Sequence, residues 1–324
     1  MMSSNIPIGR KSSTVKSYNL RAVLHILRQH EYISRVRLAR LTGLSTTTIT
    51  NLISELLAQG IVVEEGIEKS EQRRGAGRPR TALRLVPEAR YVVGIHFGVG
   101  SIRIGVADLR VRLLKYLYLN HPLEKSPDQV LVETADLARE AILESGVDPQ
   151  KVVGLGVGAS GLVDPDTGVN VVAPNLGWRD VPLRDWFGPR LGLPVCVNNN
   201  VRAMALGEAM FGVGRHVRAL AFVYARIGVG AGFVVDGQLY HGSAAGAGEI
   251  GHTTIIVEGG EPCRCGNTGC LETLVSEPAV VRLAEELARH DKGGILAAKL
   301  RDGEGSTIER VFAAARTGDS ATRA

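Results

Sequence analysis

Four side chains of the 324-residue chain are spaced for metal chemistry. His252, Cys263, Cys265 and Cys270 form the pattern His-x10-Cys-x-Cys-x4-Cys. Three thiolates and one imidazole fill a tetrahedron and leave no open position, so the expected occupant is one structural zinc per chain rather than a catalytic one. Gly266 and Gly269 let the chain fold tightly between ligands. The segment from Met1 to Lys16 lacks the apolar core of a signal peptide, and no apolar run reaches membrane-spanning length. The expected setting is the cytoplasm, with no membrane partner, where thiols stay reduced and clustered cysteines favour metal over disulfides. Cys196 stands alone in an apolar run and is expected in the core.

A second chemistry is written in charge. The chain carries a net +5, but residues 1–90 hold 15 Lys and Arg against 7 Asp and Glu, while the remainder holds 23 against 26. A basic head on a mildly acidic body suggests that the head meets an anion. Residues 1–17 read as a flexible tail. Tyr18 to Gln29 places Leu20, Val23, Leu24 and Leu27 at helical spacing. Ser34 can cap a second helix to Leu41, Thr42-Gly43-Leu44 makes a turn, and Ser45 can cap a third helix to about Ala58, closed by Gly60. Ile49, Ile53, Leu56 and Leu57 form one stripe of that helix, whereas Thr46, Thr47, Thr50 and Asn51 lie mostly off it.

Small polar side chains at an exposed helix N-terminus can reach base edges or phosphates in a major groove. Strands over Ile61 to Glu65 and Thr81 to Leu85 then flank a loop with Arg73, Arg74, Arg78 and Arg80 and no acid between them. Arginine suits a narrow, electronegative minor groove. Helix, helix–turn–helix and basic hairpin is the order of a winged helix. Residues 18–88 are therefore expected to bind duplex operator DNA through Ser45, Thr46, Thr47, Thr50, Asn51, Arg73, Arg74, Arg78 and Arg80.

Residues 89–324 alternate strand and helix patterns: a hairpin over Tyr91 to Ala107, a helix from Ser126 to Ser145, apolar strands at Val152 to Val157 and Val195 to Val197, an Ala-rich helix from Val201 to Met210, and paired strands over Ala219 to Val235. This predicts an α/β body. Pro278 to His290 and Thr307 to Arg316 read as closing helices, the latter opened by a possible capping box of Ser306 and Glu309.

Within that body, Gly248-Glu249-Ile250-Gly251-His252 followed by Cys263-Arg264-Cys265-Gly266-Asn267-Thr268-Gly269-Cys270-Leu271-Glu272 resembles the signature of the ROK family (repressors, open reading frames and sugar kinases). Ala173-Pro174-Asn175-Leu176-Gly177-Trp178 and Leu206-Gly207-Glu208 extend the likeness, which runs from about residue 18 to residue 276. With its winged helix, the chain resembles the transcriptional-regulator branch that includes xylose and N-acetylglucosamine repressors. The resemblance implies an actin-like, ribonuclease-H-like sugar-kinase fold, with a small lobe near 89–198 and a large lobe near 199–324. It also implies that this body stops short of the family's usual C-terminal portion. Asn175, Asn199, Asn200, Glu249, His252 and Glu272 match positions that hold sugar hydroxyls in the family. His252 would give one ring nitrogen to zinc and keep the other for the sugar.

The departures fall on catalysis. The family's general base is an Asp where this chain has Asn200, and an amide has no usable basicity. The first phosphate loop of the family, which reads like Asp-x-Gly-Gly-Thr, is here His96-Phe97-Gly98-Val99-Gly100, and the second, Gly-Thr-Gly, is Gly228-Val229-Gly230. Side chains that would handle Mg²⁺ and phosphate are gone while the shaping glycines stay. The expectation is a sugar-responsive transcriptional regulator, a repressor acting as a homodimer or homotetramer on operator DNA, without kinase activity. The alternatives are a bifunctional ROK sugar kinase and a regulator controlled by a protein partner.

Overall fold

The computed structural model describes residues 12–67, 81–243, 246–319 and 322. They divide into two compact units. One gathers residues up to Val93 with Gly105–Tyr116 and Ala141–Val153; the other takes Gly94–Ile104, Leu117–Glu140 and residues from Gly154 onward. No helix of the described residues is long and apolar enough to cross a membrane.

In the first unit, α1 (Ser12–Gln29), β1 (Ile33–Ser34), α2 (Arg35–Thr42), α3 (Thr46–Ala58), β2 (Val62–Ile67) and β3 (Thr81–Leu85) make a winged helix-turn-helix whose small antiparallel sheet runs β1-β3-β2. Ser34 and Ser45 cap α2 and α3 by accepting from the Arg37 and Thr48 N–H groups, as their sequence positions suggested. Val23, Leu27, Ile33, Leu38, Ile49, Ile53 and Leu83 are fully buried in one cluster. Each large aliphatic side chain so buried contributes roughly 1.5–3 kcal/mol. Leu52 joins the buried face of α3, which the sequence reading passed over, and Leu57 is only half-buried. Residues 12–17 correct the expected tail: α1 begins at Ser12. This first stretch carries little apolar periodicity, but Lys16 pairs with Glu55 of α3 at 2.8 Å.

The α/β body follows as β4 (Tyr91–Gly98), β5 (Ser101–Asp108), β6 (Leu113–Asn120), α4 (Pro127–Glu144), β7 (Val152–Ala159), β8 (Leu162–Asp164), β9 (Val169–Ala173), β10 (Trp178–Val181), α5 (Leu183–Leu191), β11 (Val195–Asn199) and α6 (Asn200–Phe211). The main sheet runs β11-β7-β4-β5-β6. β11 lies parallel to β7 with Val195 opposite Leu155 and Asn199 opposite Ala159. That register delivers Asn199 and Asn200 to the strand end beside Ser160. Phe97 packs edge-on to Trp178 at 5.2 Å and near Phe187 at 6.1 Å, closing the core under this end. Cys196 is a correction: alternation on β11 turns it outward, and it is exposed while Val195 and Val197 are buried.

Two further antiparallel sheets are three-stranded: β10-β9-β8, and one of β12 (Ala219–Ala225), β13 (Val229–Val235) and β14 (Gln238–Tyr240). After α7 (Glu272–Val275), the helices α8 (Glu277–His290), α9 (Ile295–Asp302) and α10 (Thr307–Arg316) pack around Ala284, Leu296, Val311 and Ala314. The Ser306–Glu309 capping box is formed. The short α9 and the strands β8 to β10 had no clear period in the sequence, being shorter than the windows in which periodicity speaks.

Candidate functional site

A cavity of about 310 Å³ opens within the second unit. That lies at the low end of small-molecule sites and suits a monosaccharide-sized ligand. Its walls bring together Asn175, Asn199, Asn200, Glu249, His252 and Glu272, the six positions singled out in the sequence.

Asn199 and Asn200 divide their labour. Asn199 caps α6: its Oδ1 accepts from Val201 N at 2.8 Å and Arg202 N at 3.2 Å, and its Nδ2 donates to Gly161 O at 2.8 Å. The side chain is thus largely committed to the backbone and fixes the start of the helix. Asn200, the first residue of α6, donates from Nδ2 to Ser160 Oγ at 3.1 Å and stands 3.5 Å from Nε2 of His96. Glu249 and Glu272 are the only carboxylates among the lining residues. Glu272 Oε2 accepts from Val229 N at 2.9 Å, which ties it to the first residue of β13. Burial pushes the Glu249 carboxyl up, against the pull of the Arg202 guanidinium 3.9 Å away. Arg202 itself is buried and donates from Nε to Ala247 O, so it braces the loop that carries Glu249.

That loop is seated by Gly248. Its φ is +95°, and a Cβ there would lie 1.9 Å from Ala231 O, so no other residue permits the 2.7 Å bond from Ala231 N to Gly248 O. Gly269 plays the same part before Cys270, where a Cβ would meet Ile256 O at 1.8 Å.

His252, Cys263, Cys265 and Cys270 present ligand atoms that all lie within 4.8 Å of one another. Nδ1 of His252 is 3.7 Å from Cys263 Sγ, and the Sγ atoms of Cys265 and Cys270 are 3.8 Å apart. Burial pushes the Cys263 and Cys270 thiols up, whereas a cation bound among them would favour the thiolate forms. This cluster can hold a metal ion. His252 turns Nδ1 to the cysteines while the residue also lines the cavity, so the cluster braces one cavity wall. Arg264, between two of the cysteines, reaches Asn175 Oδ1 with Nη1 at 2.9 Å. Sequence reasoning missed Arg264, Ser160, Arg103 and Tyr118 because only the tertiary fold brings them to the cavity.

On the first unit, Ser45, Thr46, Thr47, Thr50 and Asn51 are all exposed at the N-terminal half of α3. Two of them have local structural work as well. Ser45 is the cap, and the Thr50 hydroxyl donates to Thr46 O at 2.8 Å. Arg73, Arg74, Arg78 and Arg80 lie outside the described residues.

Known proteins resemble both the winged helix-turn-helix and the α/β body. The winged helix-turn-helix DNA-binding profile matches residues 16–63. The xylose repressor of Caldicellulosiruptor bescii is 34% identical over 275 residues, spanning 85% of this chain and 68% of that protein. The crystal structure of a ROK family transcriptional regulator, a homologue of the E. coli Mlc protein, superposes with a TM-score of 0.80 at 28% identity, covering 95% of this chain and 76% of that one. A ROK family glucokinase from Streptomyces griseus, solved in complex with glucose and AMPPNP, superposes with a TM-score of 0.61 at 31% identity over 72% of this chain and 73% of that one. With the ROK family profile matching residues 92–324, the chain belongs to the ROK family.

Proposed function

We propose that the protein is a sugar-responsive transcriptional repressor that binds operator DNA through residues 18–88 and carbohydrate through the cavity of residues 89–324. One observation carries this reading: a single chain combines a helix-turn-helix exposing Thr46, Thr47 and Asn51 with a cavity walled by amides, carboxylates and an imidazole. Such groups donate and accept in the pairs that vicinal hydroxyls require. Kinase relatives share the fold, but Asn200 faces the cavity where proton abstraction needs a basic group, and Ser160 and His96 are its side-chain neighbours.

The Cys–His cluster fits zinc. Bonds of about 2.1–2.3 Å in a tetrahedral site put donor atoms roughly 3.4–3.8 Å apart; the two close pairs here measure 3.7 and 3.8 Å, and all four donor atoms lie within 4.8 Å of one another. A zinc held by all four residues supplies a cross-link in place of a larger core. It holds His252 and Arg264 against the cavity. A repressor on a palindromic site needs two heads, so we assign a homodimer or larger homo-oligomer as the DNA-bound form and the cytoplasm as its setting.

The DNA reading is tested on a duplex enriched from a randomised library by the full chain. Asn51→Ala should relax base preference with a loss of about 1–3 kcal/mol. Arg78→Ala should weaken binding to all sequences alike and lower the salt slope by roughly one unit. Unchanged affinity and slope in both variants would remove this segment from the DNA interface.

A further inference from the structure

The three cysteines of the cluster are not equivalent. Cys263 N donates to Asn267 O at 2.7 Å and Gly266 N to Cys263 O at 3.0 Å, so residues 263–267 close a tight turn. Cys265 stands in that turn, exposed, and lines the cavity, where a small solute reaches it. Gly266 beside it has open space, since a Cβ there would touch nothing within 4 Å, so the turn has room to move. Cys270 is the opposite. It is fully buried, it bridges to Thr254, and Gly269 before it is clamped against Ile256 O. The Sγ atoms of Cys265 and Cys270 are 3.8 Å apart. A shift of about 1.8 Å brings them to the disulfide bond length of about 2.0 Å. Cys263 is turned instead to Nδ1 of His252 at 3.7 Å.

An exposed cysteine on a movable turn with a buried cysteine beside it is the arrangement of an oxidisable thiol and its resolving partner. Metal ligation holds such side chains as thiolates, the form that attacks a peroxide.

We propose that Cys265 is a peroxide-modification site, and that its oxidation closes a Cys265–Cys270 disulfide and dismantles the metal cluster. This rests on the reading of the cluster as a zinc site. The Cys265 thiolate attacks one oxygen of hydrogen peroxide and the O–O bond breaks. Cys265 becomes a sulfenic acid, and the departing hydroxide is protonated to water. The Cys270 thiolate then attacks the Cys265 sulfur. The S–S bond forms, the S–O bond breaks, and hydroxide leaves to become a second water. Two thiolates lose two electrons, the peroxide gains them, and solvent supplies two protons. Only His252 and Cys263 remain as donors, too few for a structural site. The consequence reaches the cavity. Arg264, within the turn that moves, bonds Asn175, and Glu272, two residues after Cys270, bonds Val229 N. Oxidation thus loosens one cavity wall, and a dithiol reductant with zinc rebuilds it.

The test treats the reduced, zinc-loaded full chain with hydrogen peroxide. A chromophoric chelator follows zinc, alkylation with peptide mapping follows the thiols, and hydrogen exchange follows the backbone. One zinc per chain should be released together with formation of the Cys265–Cys270 disulfide. Both should run about tenfold or more faster than oxidation of Cys196, an exposed cysteine outside the cluster. Amides over residues 253–275 should then exchange about tenfold or more faster, with those of α3 unchanged. Dithiothreitol with zinc should reverse both changes, and Cys196→Ser should respond as the unaltered chain does. Zinc that stays bound, with Cys265 still a thiol, at peroxide levels that oxidise Cys196 would overturn the inference and leave the metal site standing. So would a disulfide through Cys263, or unchanged exchange once the Cys265–Cys270 disulfide has formed. A reduced chain that takes up no zinc would overturn the metal reading itself and the inference with it.

Discussion

Incubated with ATP, Mg²⁺ and a panel of hexoses, pentoses and N-acetylamino sugars, the purified protein is expected to show no turnover in the range of about 1 to 10³ per second found for working enzymes. On the proposed reading Asn200 takes the place of the base that would accept the hydroxyl proton, and a positioned base is worth roughly 10² to 10⁴ in rate. The surroundings do not compensate. Glu272 is fastened to Val229 N, and the near neighbours of Asn200 are Ser160 and a histidine that burial keeps neutral. Asn200→Asp alone should leave the protein a poor kinase, because on the same reading His96 replaces the acid of the first phosphate loop and Val229 the hydroxyl of the second. Brisk ATP consumption by the unaltered chain, measured in a coupled assay, would contradict the sensor reading. Brisk turnover by Asn200→Asp would confirm the base position but contradict the loss of phosphate handling.

Removing one cysteine ligand is expected to have the largest effect on stability. Cys265 is exposed, so Cys265→Ser opens no cavity and isolates the loss of the ligand from the loss of packing. Metal content should fall from one zinc per chain towards zero, and the melting temperature should fall with it, because ligation and local folding are coupled. The loop carrying His252 and Arg264 would lose its cross-link, so affinity for carbohydrate should drop by about 10-fold or more. Elemental analysis and thermal melting decide it. A metal-free chain that melts and binds sugar as before would remove the metal from the design of the site.

The two ends of the molecule were unequally legible in the sequence. Long amphipathic segments announced themselves: the cap residues Ser34 and Ser45, the stripe through Ile49 and Ile53, and the capping box at Ser306 all stand where pattern placed them. The cysteine spacing brought four ligand atoms to one place. Three kinds of information were not local. The outward face of Cys196 depends on the register of β11 against β7, which an apolar run cannot reveal. The capping duty of Asn199 depends on α6 beginning at Asn200, the residue after it. The company of His96, Arg103, Ser160 and Asn200 depends on the main sheet, which places the end of β4 beside the head of α6 from a hundred residues away. Hydrophobic period records which face is buried; it does not record which polar loops a sheet gathers at its end.

The most direct test of a sugar-gated repressor is fluorescence anisotropy of the full chain on a duplex enriched from a randomised library, titrated with a panel of hexoses, pentoses, N-acetylamino sugars and their phosphates. The expected result is tight, salt-sensitive binding without sugar and release of the duplex by at least one carbohydrate. Glu249→Gln should blunt that release while leaving sugar-free DNA affinity unchanged. A protein that binds the duplex equally well at saturating concentrations of every sugar that calorimetry shows it to bind would contradict the coupling of cavity to DNA head.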